Sequence, residues 1–166
     1  MLFNLFKKEK EKEELQIYAP VNGEIIPIEE VPDPVFSQKM MGEGVAVIPT
    51  KGNIHAPVDG TIIQVAPTKH AVGILAKDGS EILIHVGLET VSLKGEGFKV
   101  AVNNGDKVSA GQLLIEVDWD YIQVHAKSTV TPIVITNSLE GNKQYIMTGD
   151  KEGIQGKTVI MTSSAK

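Results

Sequence analysis

Glycine turns cut this chain into pieces too short for long helices. Asn22-Gly23, Asp59-Gly60, Asp78-Gly79 and Asn104-Gly105 separate brief runs of branched apolar residues. Asn-Gly and Asp-Gly favour tight reversals because both positions tolerate positive φ. Runs of this kind between such turns read as strands, and the candidates are 15–18, 23–28, 44–48, 61–65, 70–76, 81–87, 112–117, 130–136 and 157–162. One stretch repeats: Ala19-Pro20-Val21-Asn22-Gly23-Glu24-Ile25-Ile26 returns as Ala56-Pro57-Val58-Asp59-Gly60-Thr61-Ile62-Ile63. A looser echo links Gly105-Asp106-Lys107 and Gly111 with Gly149-Asp150-Lys151 and Gly156. The expected fold is all-β, an antiparallel β-sandwich or barrel with an internal duplicated strand-turn-strand motif and little helix. The one helix expected runs from Asp118 to Ala126, with Asp118 as N-cap.

Composition narrows the chemistry. Residues 15–166 suit a single domain, and 42% hydrophobic content is enough for a core. Residues 1–14 read as a flexible, charged and amphipathic tail, in which Leu2, Phe3, Leu5 and Phe6 with Lys7 and Lys8 could touch a membrane surface weakly. No apolar run approaches the roughly 20 residues of a membrane span. Cysteine is absent, which removes disulfides and thiolate chemistry and fits a cytoplasmic setting. A net charge of −5 argues against nucleic acid. All 16 basic residues are lysine. Without arginine's two-pronged fork, any phosphate must be held by backbone N–H groups, histidine, lysine or hydroxyls.

His70 and His85 sit in two neighbouring expected strands. Reading Asp78-Gly79 as a two-residue hairpin turn places Lys77 opposite Ser80, Val72 opposite His85 and His70 opposite Gly87. Ala71, Gly73, Leu75, Ile82, Ile84 and Val86 then form the core face. His70, Val72, Ile74, Leu83 and His85 share the other face, with the histidines as diagonal neighbours. As satisfied core histidines they would belong on the first face. As metal ligands two are too few, and no further His spacing supplies the rest, so no metal and no cofactor are expected. As a phosphoryl site, one imidazole would be the nucleophile and the other a hydrogen-bonding stabiliser.

Other signals are weaker. Gly156-Lys157-Thr158 lacks the earlier glycine of a phosphate-binding loop, and no Gly-x-Ser-x-Gly elbow exists. His55 and His125 read as surface residues. Phe36, Met40, Met41, Val45 and Val47 around Gly42 and Gly44 are either core or an adaptable docking surface.

The chain resembles the glucose-class enzyme IIA of the bacterial phosphoenolpyruvate-dependent sugar phosphotransferase system. The resemblance is carried by Ala19-Pro20-x-x-Gly23, Val31-Pro32-Asp33-Pro34-Val35-Phe36, Gly42-Glu43-Gly44 and Ala56-Pro57-Val58-Asp59-Gly60-Thr61. Thr68-x-His70-Ala71, Ile84-His85-Val86-Gly87-Leu88-Glu89-Thr90-Val91 running on through Gly95-Glu96-Gly97-Phe98, and Lys127 through Pro132 complete it. It implies a β-sandwich phosphocarrier that takes a phosphoryl group from HPr and passes it to the enzyme IIB domain of a sugar permease. By motif, His85 would carry the phosphate on Nε2, His70 would stabilise it, Thr68 would orient His70, and the Gly87 carbonyl would hold His85 Nδ1–H. The partner surface would comprise Phe36, Met40, Met41, Leu83 and Val91. The resemblance also favours the membrane-surface reading of Met1–Lys8, and the chain's length reads as a stand-alone, monomeric component. A biotinyl- or lipoyl-like carrier, from Gly105-Asp106-Lys107-Val108, and a zinc hydrolase on a related β fold are the alternatives.

Overall fold

The structure, a computed structural model, describes residues 14–166. The expected membrane contact of Met1–Lys8 lies outside the described residues. The strands are β1 (Leu15–Tyr18), β2 (Asn22–Pro27), β3 (Glu43–Lys51), β4 (Ile54–His55), β5 (Gly60–Val65), β6 (Ala71–Ala76) and β7 (Glu81–His85). They continue as β8 (Phe98–Val100), β9 (Lys107–Val108), β10 (Leu113–Val117), β11 (Thr131–Ile135), β12 (Lys143–Met147), β13 (Glu152–Gly153) and β14 (Val159–Ala165). Two α-helices, α1 (Pro34–Ser37) and α2 (Trp119–His125), and two 3₁₀ turns, η1 (Ile28–Glu30) and η2 (Thr90–Leu93), fill connections. Every expected strand is present. The expected helix is α2, and the Asp118 side chain accepts from Tyr121 N as its cap.

An eight-stranded antiparallel sheet, β13-β2-β3-β11-β7-β6-β5-β9, is the spine of the sandwich. Two three-stranded sheets, β1-β14-β12 and β4-β10-β8, complete it. The duplication read from sequence runs through this whole arrangement. Gly23 pairs with Gly153 as Gly60 pairs with Val108. Tyr18 N donates to Pro57 O at 3.0 Å, and His55 N returns a bond to Pro20 O at 2.9 Å. Gly156 N reaches Ala19 O as Gly111 N reaches Ala56 O. The molecule is thus two interlocked halves. The inner half, β4–β10, is inserted between β3 and β11 of the outer half. The halves meet where β7 pairs with β11, with Ile84 opposite Ile133 on the pseudo-twofold axis.

Both faces of the central strands are buried, which is why they read as nearly unbroken apolar runs. Ile17, Val47, Ile74, Ile84, Leu114, Ile133 and Ile160 belong to the main core between the large and small sheets. Each such fully buried aliphatic side chain contributes about 1.5–3 kcal/mol. Ala46, Ala71, Leu83 and Val134 point the other way, into a second cluster with Ile28, Val31, Phe36, Leu88 and Val130.

The expected β6–β7 register is off by one residue. Ala71, not Val72, faces His85, and Gly73 faces Leu83. The reversal spans three residues, Lys77–Gly79, with Ala76 N bonded to Ser80 O. Gly79, with φ +90°, takes the left-handed third position of this loop, and Asp78 accepts from Ser80 N at 2.9 Å and from Ser163 Oγ of β14 at 2.7 Å. A one-residue slip exchanges faces. Val72 and Ile74 therefore lie in the main core, and Ala71 joins Leu83 in the second cluster.

Candidate functional site

His85 ends β7, on the face of the second cluster. Its Nδ1–H donates to Gly87 O at 2.8 Å. A carbonyl can only accept, so Nδ1 carries the proton and the neutral ring leaves its lone pair on Nε2. Gly87 has φ +75°, and a Cβ there would stand 2.6 Å from Thr90 Cγ2 and 2.9 Å from Ser128 O. Thr90 Oγ1 donates to Val86 O at 2.7 Å, and Leu88 N donates to Ser128 O at 2.9 Å. These contacts fix the carbonyl that holds the imidazole, and only glycine fits the place.

His70 precedes β6 rather than lying in it. Lys69, with φ +64°, turns the chain immediately before it, and His70 O accepts from Val86 N at 2.7 Å. The ring nitrogen Nδ1 shares a 2.7 Å hydrogen bond with Thr68 Oγ1. His70 and His85 meet edge to face with ring centroids 4.7 Å apart. The two rings expected to be neighbours are therefore in contact, by a strand start rather than by the diagonal pairing counted from the hairpin.

Both imidazoles are neutral at pH 7. His70 is only 8% exposed, and burial, then the adjoining His85, lowers its pKa to about 4 against a weaker opposing hydrogen bond at Thr68. Burial also lowers His85, opposed by the Gly87 carbonyl and by the Asp33 carboxylate. Two uncharged rings, one with a free Nε2 lone pair, make a nucleophile beside a hydrogen-bond donor.

The β2–β3 connection covers this pair. Asp33 caps α1 by accepting from Val35 N at 3.0 Å, and Pro34 takes the first helical position. That turn brings Phe36 over His85, with ring centroids 5.1 Å apart and planes tilted by 58°. Of the residues expected to form a partner surface, Phe36 at 4% exposed and Leu83 at 6% are buried in the second cluster. They build the floor and wall of the site instead. The face is a second core under α1, so these rings have neighbours where open surface was expected. Met41 is half-buried, while Met40 at 69% and Val91 at 58% are exposed. Asp33, whose charge acts on His85, was missed among the site residues. Asp33-Pro34 is a helix-start signature, and that signal could have placed it there. His55 is half-buried, with Nδ1 bonded to Asn53 O, and His125 ends α2 against Tyr121. Neither adjoins the pair.

A sequence model of the family described as "phosphoenolpyruvate-dependent sugar phosphotransferase system, EIIA 1" matches residues 15–140. A "PTS system glucose-specific EIIA component" of Halalkalibacterium halodurans is 54% identical over 140 residues, covering 82% of this chain and 81% of that protein. A "PTS system glucose-specific EIICBA component" of Staphylococcus saprophyticus is 56% identical over 124 residues, 75% of this chain but only 18% of that longer protein. The solved glucose permease IIA from Mycoplasma capricolum superposes with a TM-score of 0.82 at 39% identity, over 90% of this chain and 95% of that one.

Proposed function

The chain belongs to the EIIA 1 family of the phosphoenolpyruvate-dependent sugar phosphotransferase system and is a phosphocarrier of that system, and we propose that His85 is the residue that carries the phosphate. The observation that bears this reading is the bond from His85 Nδ1–H to Gly87 O, which leaves Nε2 as the free nucleophile. Neither a biotinyl- or lipoyl-like carrier nor a zinc hydrolase is favoured by these relatives.

The donor is phospho-HPr. The Nε2 lone pair attacks phosphorus in line as the donor's N–P bond breaks, and the bonding pair returns to the donor imidazole. His85 keeps its Nδ1 proton throughout. Little covalent work falls to the protein beyond positioning. His70 supports the transferring group: in the tautomer whose Nδ1 accepts from Thr68 Oγ1–H, its Nε2–H donates to a phosphoryl oxygen. A neutral donor this close partly replaces the missing arginine. The walls formed by Phe36, Ala71 and Leu83 keep water from the labile N–P bond.

The acceptor is the enzyme IIB domain of a sugar permease, on which the phosphoryl passes to its next nucleophile and the pair returns to Nε2. The relatives in which EIIA is joined to EIIC and EIIB support that partner, and their names point to glucose. The exposed apolar side chains of Val35, Met40 and Val91, with half-buried Met41, are the surface on which donor and acceptor would dock in turn in the cytoplasm.

Incubation with phosphoenolpyruvate, enzyme I and HPr should place an acid-labile, base-stable phosphate on the protein. His85→Gln abolishes the label, while His70→Gln accepts phosphate and donates it poorly. Unchanged labelling of the His85→Gln protein overturns the assignment.

A further inference from the structure

Left-handed backbone is uncommon outside glycine because Cβ crowds the following carbonyl. Among the described residues four non-glycines adopt it: Lys39 (φ +60°), Lys69 (φ +64°), Glu89 (φ +57°) and Lys94 (φ +54°). All four stand in the segments that frame the histidine pair. Lys39 follows α1, Lys69 separates Thr68 from His70, Glu89 lies just past Gly87, and Lys94 closes η2. Strain of this kind persists where surrounding contacts hold it, and those contacts are the work to look for in the side chain. For Lys39 that work is visible. Its Nζ lies 3.2 Å from Glu29 Oε1, tying the end of α1 to η1.

Lys69 is held differently. It enters no ion pair among the described residues. Its stem lies across Gly95, where a Cβ would stand 3.4 Å from Lys69 Cδ and 3.8 Å from both Cγ and Cε. Gly95 is itself left-handed, with φ +90°. It belongs to the segment that starts at Gly87, the residue that holds His85. The Lys69 stem therefore bridges the two mounts, one carrying Thr68 and His70, the other carrying the carbonyl under His85.

We propose that Lys69 is a positioning residue whose aliphatic stem, braced on Gly95, holds the Thr68–His70 turn in alignment with the segment that anchors His85. The role belongs to the stem and not to the charge. It deepens the phosphoryl reading of the pair, on which its consequence for transfer rests.

Lys69→Gly and Lys69→Met lose the same charge, and only the second keeps a stem. The deciding readout is the pair of ¹⁵N shifts of the His70 ring in the unphosphorylated protein, above its titration range. A ring aligned on Thr68 keeps one protonated and one bare nitrogen, and a released ring exchanges tautomers so that the two shifts converge. Convergence is expected in Lys69→Gly, with distinct nitrogens retained in Lys69→Met. Donation to the acceptor domain should fall about tenfold in Lys69→Gly and stay within about twofold in Lys69→Met, which is a barrier rise of about 1.4 kcal/mol set against almost none. Acceptance on His85 should be unchanged in both. Distinct nitrogens in Lys69→Gly, or convergence in Lys69→Met as well, overturns the proposal. Failure of the phosphoryl reading shows separately, as a label on His85→Gln, and leaves the nitrogen shifts untouched.

Discussion

The inner half, β4–β10, and the outer half, β1–β3 with β11–β14, use equivalent connections for different ends. In the inner half, β5 and β6 are joined by a tight turn that carries Thr68, Lys69 and His70. In the outer half, the corresponding β2–β3 connection lengthens to hold η1 and α1, and Phe36 from it lies over His85. The next strands differ in the same way. His85 follows Ile84 on β7, and Val134 follows Ile133 on β11, so the two are counterparts across the axis. One is the proposed nucleophile and the other a fully buried core residue. The histidine pair sits on one copy and its cover on the other, so the site needs both halves while the frame beneath them is shared.

That contrast can be broken in several ways. If the frame is truly shared, Gly23→Ala and Gly60→Ala should be equally damaging. A Cβ on Gly23 falls on the Ile48 carbonyl and one on Gly60 falls on the Leu75 carbonyl, backbone atoms that cannot step aside. Each should cost about 3 kcal/mol or more in denaturant unfolding, and the two should agree within about 1 kcal/mol. A wide gap between them would show that one half carries the fold. Val134→His tests whether position alone makes a nucleophile. It should lose about 2 kcal/mol by burying an imidazole without partners, and combined with His85→Gln it should remain unlabelled. A label on that double variant would detach the chemistry from Gly87 and His70.

Acid should weaken the inner half's site more gradually. Both histidine pKa values are lowered in the folded protein, His70 to about 4. As pH falls below the ordinary value of about 6.5, the unfolded chain binds protons first, so their contribution is complete above that point and is lost as pH falls, for His70 toward about pH 4. The slope should not exceed about 1.4 kcal/mol per pH unit for each histidine, and His70→Gln should reduce it in denaturation series across this window. The smallest effect is expected of Thr68→Val, which keeps the shape and removes the hydroxyl bonded to His70. About 1 kcal/mol of stability should go, with donation slowed and acceptance on His85 intact.

The strands with strong apolar runs and the capped helix α2 were legible because local residues decide them. Short elements were not. Residues β4, β9 and β13 contribute are only pairs, Ile54–His55, Lys107–Val108 and Glu152–Gly153, which become strands through their partners. Of the site, the closeness of the two histidines was legible and their route to each other was not. Asp78-Gly79 suits a two-residue loop and equally a three-residue loop with Gly79 in the left-handed third position, and the chain takes the second, with Asp78 also bonded to Ser163 of β14. The burial of Phe36 and Leu83 was hidden for another reason. It depends on α1 folding back over the sheet, where sequence patterning alone shows an apolar face with no visible occupant.

The inserted inner half has a consequence for how the chain is born. β3 and β11 are sheet neighbours, Val47 opposite Thr131, yet all of β4–β10 lies between them along the chain. During synthesis β3 leaves the ribosome with a bare edge and waits until β11 emerges. Closing so long a loop is entropically slow, and an unpaired apolar edge invites wrong pairing meanwhile. A folded inner half shortens that loop, because β4 and β10 lie paired in one sheet and so bring its two ends close. The nascent chain thus makes its cover first, its histidine pair second, and the strand that clasps them together only near the end.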